Sequence, residues 1–338
     1  MKKTAEFVSL GHPDKTADFI SSYILDRFLE QDKNVKYAVE VMVKDHTVVL
    51  GGEVKGNIKV LYTDLCAWVR HALCEIGYNE SYSEVWGVDA INPLRVNVIN
   101  LIGYQSGDIN QGVEADGWGD QGVFVGYACQ GEGKINCELF LARKLNHALY
   151  NLAKKSDNLG LDIKTQITLN ELDGIETAIV AIPMREEEDL SEFIIEALGE
   201  APDNIIVNGT GRYVTHSSIA DCGITGRKLA CDFYSTACAV GGGSPWTKDA
   251  SKADLTLNIL ARKLAVENLG DAQECWVYLS SCIGRSTLPS AVVVRKDDKG
   301  LSYSNIEVGK PSEIIKELGL KKPIFANLCS TGITEFYK

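Results

Sequence analysis

Residues Asp221 to Asp254 read D-C-G-I-T-G-R-K (Asp221–Lys228), then a strand-like run, then G-G-G-S-P-W-T-K-D-A-S-K-A-D (Gly241–Asp254). The cations Arg227, Lys228, Lys248 and Lys252 are interleaved with the carboxylates Asp221, Asp249 and Asp254. Gly223, Gly226 and Gly241 to Gly243 let the backbone turn tightly and approach a ligand. Beyond Asp249, the apolar positions Leu255, Ile259, Leu260, Leu264 and Val266 predict a helix. Lys248 and Lys252, four residues apart, place Lys248 at its cap. There, side-chain cations add to free N–H groups and the positive dipole end, which suits a polyphosphate. Asp254 lies nearby and is a candidate to hold a metal ion that bridges phosphates. The plainer alternative is a glycine-rich loop before a surface helix whose charges face water. Against it, like charges crowded by glycines repel unless something anionic joins them. No G-x-x-x-x-G-K-[ST] occurs, so this is not a P-loop.

The rest of the composition makes that stretch a local exception. The chain has 338 residues, 45% hydrophobic, with a formal charge of -12. This predicts two or three ordinary domains with real cores and argues against a general binder of nucleic acid or anionic membranes. No apolar run approaches the ~18 residues that would span a bilayer. Met1-Lys2-Lys3 is charged but no apolar stretch follows, so no signal peptide and a cytoplasmic location are expected. The ten cysteines form no C-x-x-C pair. Most, including Cys66, Cys74, Cys129, Cys231, Cys238 and Cys282, sit in apolar runs, which reads as free, buried thiols in a reducing cytoplasm.

Along the chain, Gly11-His12-Pro13-Asp14-Lys15 opens a helix that Ala17, Ile20, Ile24, Leu25, Phe28 and Leu29 carry to about Gln31. His12, Asp14 and Lys15 are expected to cluster at its start, as a site or as plain capping. Val35–Lys44 and Thr47–Val54 read as a hairpin. Glu40 lies mid-strand, where a carboxylate is costly unless it faces water or meets a cation. Leu61–Ile76 predicts an amphipathic helix stopped by Gly77, and Leu94–Ile102 a strand. Residues 103–122, G-Y-Q-S-G-D-I-N-Q-G-V-E-A-D-G-W-G-D-Q-G, read as a long connection, a lid in preference to a linker. A helix over Ile135–Lys154 follows, then a strand pair (Ile163–Leu169, Glu176–Ile182) turned at Asp173-Gly174. A helix to about Gly199 and a short strand Ile205–Asn208 come next. Beyond the opening stretch, Glu274–Ile283 and Ala291–Lys296 read as strands and Pro311–Leu318 as a helix. A repeated α/β unit is compatible with this order, but no repeat is visible in the residues.

G-H-P-D-K (Gly11–Lys15), G-G-E (Gly51–Glu53), Q-S-G-D-I-N-Q-G-V (Gln105–Val113), G-D-Q-G (Gly119–Gly122), D-C-G-I-T-G-R-K and G-G-G-x-x-x-x-K-D-x-S-K-x-D occur in that order. Together they closely resemble S-adenosylmethionine synthetase (methionine adenosyltransferase) of the bacterial and eukaryotic type, over nearly the whole chain. The resemblance implies an α/β fold of three similar domains with approximate threefold symmetry, mixed sheets being covered by helices. Divisions are expected at 1-103, a lid at 104-122, 123-209 and 210-338.

It also implies the reaction: methionine sulfur attacks ribose C5′ of ATP, and the released triphosphate is cleaved to pyrophosphate and phosphate. A thioether carries no proton, so attack needs alignment and stabilisation of the leaving charge, not a general base. By resemblance, His12, Lys164, Arg227 and Lys248 carry the catalysis. Asp162, Arg212, Tyr213, Asp221, Lys228 and Ser244 join them in binding ATP. Glu53, Gln105, Asp120, Asp221 and Lys252 match methionine positions. Asp14 and Asp254 match the ligands of Mg²⁺, two ions per site, and Glu40 the K⁺ position. The partners implied are ATP, L-methionine and a second copy of the chain. Active sites are shared in a homodimer, and pairing of dimers into a tetramer is the further option.

Five departures stand out. Leu10 replaces the usual Glu before G-H-P-D-K, and the lid between Val113 and Gly119 is several residues short. T-H-S-S (Thr215–Ser218) stands where the family has a Gly-Gly-Pro stretch, which brings His216 to the nucleotide side. Ser244 replaces an Ala, and the chain ends soon after K-P-I-F-A-N-L-C-S-T-G, short of the usual extension. Two other readings stay open: a non-catalytic ATP-binding regulator, and the same chemistry on a methionine analogue.

Overall fold

A computed structural model describes residues 2–104 and 116–337. The first part of the chain forms β1 (Lys3–Val8), α1 (Pro13–Gln31), β2 (Lys36–Lys44), β3 (Thr47–Lys55), α2 (Tyr62–Ile76), α3 (Glu80–Trp86) and β4 (Asn97–Tyr104). Then come β5 (Gly122–Cys129), α4 (Cys137–Ala153), β6 (Lys164–Leu169), β7 (Ile175–Ala181), α5 (Ser191–Leu198) and β8 (Asn204–Val207). The last part holds α6 (Ser217–Ala220), β9 (Gly223–Ile224), α7 (Leu229–Asp232), α8 (Ala253–Leu269), β10 (Glu274–Ser281), β11 (Ser290–Asp297) and β12 (Gly300–Asn305). Short helices from Pro311 onward close the chain.

These strands form three four-stranded sheets, ordered β9-β2-β3-β4, β1-β6-β7-β8 and β5-β10-β11-β12. One plan recurs in all three. A long helix precedes an antiparallel hairpin and packs on its sheet: α1 on β2 and β9, α4 on β1 and β6, α8 on β5 and β10. A third strand extends the hairpin, and a strand from a distant part of the chain closes the other edge. In the first two sheets the third strand is parallel and is reached through a helix, α2 or α5. In the last it is antiparallel and follows directly. The repeat that the residues conceal is therefore plain in the topology, and the fold is α/β as expected.

The helix α1 shows why local sequence builds this frame. Pro13 occupies its first turn and the His12 ring accepts a hydrogen bond from the Asp14 N–H at 3.1 Å. Its apolar stripe faces the sheet, yet its other faces are buried too, so Lys15, Asp18, Ser21 and Ser22 all lie inside. Three expectations are corrected. The expected strand at Leu94 starts only at Asn97, because Pro93–Arg95 forms a 3₁₀ turn. The strand-like run after Lys228 is α7 followed by turns, and Phe233 and Tyr234 are apolar because they are buried. Of the cysteines, Cys74 is exposed and Cys282 half-buried; the ten described cysteines are free thiols.

Candidate active site

Two groups of charged side chains flank β9. The first gathers at the start of α1. Asp14, fully buried, accepts from the Ile224 N–H at 2.9 Å through Oδ1 and pairs with Lys228 Nζ at 2.6 Å through Oδ2. Arg227 Nε stands 3.7 Å from the same carboxylate. Gly223 permits this approach, since a Cβ there would lie 2.1 Å from the Pro13 carbonyl oxygen. His12 is neutral: burial, then the nearby Lys228, pushes it down to about 4. Its Nδ1 accepts from Asp14, so the proton sits on Nε2 as a donor. Lys164 is half-exposed on β6 and pairs with Glu6 at 2.7 Å. Asp162, just before β6, accepts from the Ser217 N–H at 3.0 Å, and burial pushes it up to about 7. Asp221 is exposed, its carboxylate accepting from the Cys222 N–H at 2.7 Å. The charges of Lys228, Asp221 and Lys164 all act on His12, so the four residues are near neighbours.

The second group lies on the other side of β9. Glu40, on the open face of its sheet, accepts from the hydroxyls of Thr225 and Thr247. Lys248 Nζ lies 3.2 Å from Asp254 Oδ2 and 3.8 Å from Glu40. Gly243, at φ +71°, presses on Asp254, for a Cβ there would fall 2.1 Å from its carboxyl carbon. The helix begins at Ala253 with Lys252 as its cap residue, so Lys248 stands four residues ahead of the cap and not at it. Ser244 opens the turn that carries Lys248, its carbonyl accepting from Nζ at 3.5 Å. Among the described residues no ion pair crosses between the two groups.

Other expected residues lie around these groups. Arg212 is exposed and donates to the carbonyls of Met184 and Arg185, and Tyr213 is half-buried beside it. Glu53, at the end of β3, and Asp120, before β5, are exposed. Gln105, like most of 104–122, lies outside the described residues. Lys15 leaves the expected cluster entirely. Its Nζ turns inward to Asp232 (2.8 Å) and Asp18 (3.3 Å), above the Trp246 ring. Burial opposes its charge, but Asp232 and Asp18 hold its pKa above the usual lysine value. Asp18 then braces the central stretch by accepting from the Gly226 N–H at 2.8 Å. Thr225, Thr247, Asp18 and Asp232 were not singled out from the sequence. Only the two threonines carried a signal, by lying inside the charged motifs.

Among the described residues no three or more His, Cys, Asp or Glu side chains enclose a metal position. Single carboxylates such as Asp14 and Asp254 still fit Mg²⁺, which keeps water and takes substrate phosphates as its other ligands. The oxygens of Glu40, Thr225 and Thr247 fit a hard monovalent cation in the same way. No helix among the described residues is long and apolar enough to cross a membrane.

Three helix-plus-hairpin units, with lysine and arginine side chains held beside carboxylates, define an α/β protein. Comparison with known proteins narrows the class. The family described as S-adenosylmethionine synthetase, N-terminal domain, matches residues 1–107, and its C-terminal domain matches 215–336. An S-adenosylmethionine synthase of Paramagnetospirillum magneticum is 33% identical over 97% of this chain and 91% of its own length. A solved structure described as an unusual S-adenosylmethionine synthetase from Campylobacter jejuni superposes with a TM-score of 0.85 at 31% identity, covering 99% of this chain and 94% of the other. The chain belongs to the S-adenosylmethionine synthetase family.

Proposed function

We propose that the protein makes S-adenosyl-L-methionine by joining the methionine sulfur to C5′ of ATP, with release of triphosphate and its cleavage to pyrophosphate and phosphate. The observation that carries this reading is the pairing of each candidate phosphate-binding cation with a carboxylate. Lys228 and Arg227 face Asp14, Lys248 faces Asp254 and Glu40, and Lys164 faces Glu6. The pairs keep the cations in place in the free protein. When the nucleotide enters, Lys228, Arg227, Lys248 and Lys164 turn to its phosphates, with the neutral His12 donating from Nε2. Asp14 and Asp254 are then free to hold Mg²⁺, which would neutralise charge developing on the leaving triphosphate. Glu40 with its two threonines would hold K⁺. Asp162, Arg212, Tyr213, Asp221 and Ser244 take the nucleoside side, and Glu53, Gln105, Asp120, Asp221 and Lys252 the methionine.

The active unit in this reading is a homodimer with shared sites. Two features support it: the groups around Asp14 and Asp254 lie on opposite sides of β9, and the sheet face that carries Glu40 is apolar and open. Met42, Ile99, Leu101 and Ile224 are exposed there.

Incubation with ATP, L-methionine, Mg²⁺ and K⁺, followed by mass spectrometry and assay of phosphate and pyrophosphate, tests the proposal. S-adenosylmethionine that needs both substrates, with matched phosphate release, is expected. A folded protein that binds ATP and yields no product would refute it.

A further inference from the structure

The T-H-S-S stretch has no charged residue at the mouth of the site, yet every one of its side chains is bonded into the fold. Thr215 donates to the Asp89 carboxylate at 2.6 Å, and Ser218 to the Asp45 carbonyl at 2.7 Å. Ser217 accepts from the Ile91 N–H at 2.9 Å, and its own N–H donates to Asp162. Ser217 sits at φ +58°, which turns the backbone toward Asp162 and is uncommon for a residue with a side chain.

His216 is buried within this stretch, 1% exposed. Its ring lies 4.7 Å from that of Trp86 and 5.9 Å from that of Tyr82, edge-on to both. Nδ1 is 2.7 Å from the Val214 carbonyl oxygen, which can only accept, so Nδ1 bears the proton. Nε2 is then an acceptor and receives a hydrogen bond from the Tyr82 hydroxyl. The same hydroxyl oxygen accepts the Leu161 N–H at 3.1 Å. Leu161 immediately precedes Asp162. One unbroken chain of hydrogen bonds thus runs from the Val214 carbonyl through His216 and Tyr82 to the Leu161 N–H, one residue before Asp162, while the Ser217 N–H holds the Asp162 carboxylate directly. Tyr78, beside Tyr82, extends the brace to the other wall by donating to the Gly11 carbonyl at 2.6 Å.

We infer that His216 is a positioning residue for the nucleoside side of the site, acting through Tyr82 and Leu161 to fix Asp162 and the Arg212–Tyr213 loop. The inference rests on the assignment of Asp162 to ATP made above. A brace of this kind affects how well the nucleotide is held in ground and transition state alike, so it changes affinity and not the chemical step. A purely structural role would lower the melting temperature and the active fraction without weakening the affinity of the molecules that remain folded.

Calorimetric titration of the intact protein with ATP and Mg²⁺ tests this without requiring turnover. His216→Phe and Tyr82→Phe are each expected to weaken ATP binding about tenfold, the worth of one lost positioning hydrogen bond. The double variant is expected to be no weaker than about twice either single one, because both break one relay. The KM for ATP should rise in parallel, with kcat within about threefold of the parent. Should His216→Phe not fold, Tyr82→Phe, which removes one oxygen atom, carries the test. Asp162→Asn is the control. If it leaves ATP affinity unchanged, the underlying assignment fails and the inference with it. If it weakens binding while His216→Phe and Tyr82→Phe do not, the relay alone is overturned.

Discussion

Asp14 and Lys228 form an ion pair of 2.6 Å at the buried start of α1, with the Asp14 carboxylate also held by the Ile224 N–H. The proposed chemistry requires that pair to open, the lysine going to phosphate and the carboxylate to Mg²⁺. Asp14→Asn is therefore expected to lower kcat roughly 100-fold or more and to raise the Mg²⁺ concentration needed for half-maximal rate. Steady-state rates over a Mg²⁺ series check this. An unchanged Mg²⁺ requirement refutes the assignment.

Asp254 is the counterpart on the other side of β9, 3.2 Å from Lys248. Asp254→Asn removes one charge and keeps the shape that Gly243 packs against. Turnover is expected to fall by roughly two orders of magnitude or more. A near-parental rate sinks its role as a metal ligand.

The pH dependence of kcat/KM for ATP separates two neighbours. This quantity reports ionisations of the free enzyme. Burial raises Asp162 to about 7 and lowers His12 to about 4. As pH rises through about 7, Asp162 ionises and becomes a full acceptor, whereas His12 is neutral throughout. An inflection near neutrality is expected in the parent and in His12→Asn, and is lost in Asp162→Asn. Its loss in His12→Asn instead would reverse the assignment.

Leu101 is 65% exposed on the open face that also carries Glu40. Leu101→Glu is expected to shift the protein from dimer to monomer by light scattering and to abolish most activity together with the shared site. A fully active monomer, of either the parent or the variant, overturns the shared-site proposal.

Arg262 is a prediction about stability. It is fully buried on α8 and donates to the carbonyls of Tyr127, Gly133, Lys134, Thr334 and Tyr337, tying the last turns of the chain to the third sheet. Arg262→Met leaves those acceptors unpaired and is expected to cost roughly 3 kcal/mol or more. Denaturant titration checks it; a loss below about 1 kcal/mol, the worth of a single hydrogen bond, contradicts the account.

The motifs were legible because their chemistry is local. G-H-P-D-K declares a capped helix start, and the glycines beside Lys248 and Asp254 declare close packing. Even so, Lys15 and Lys228 look alike in the sequence, and only one faces the site. Lys15 points inward because Asp18, one turn on, and Asp232, more than two hundred residues away, meet it in the core. No spacing rule reveals the second of these partners.

The same division holds for the whole molecule. Periodicity and turn residues determined most helices and hairpins, since each depends on neighbours within a few positions, and the ordered motifs determined the family. Tertiary structure decided which strands share a sheet. The edge strands β1, β5 and β9 are each short or weakly patterned, and each joins a sheet whose other strands lie far along the chain. It also decided that Glu40 meets Thr225 and Thr247, and that His216 is a buried brace. Those outcomes depend on contacts between distant segments, where burial and the pairing of buried polar groups select one arrangement that no single stretch encodes.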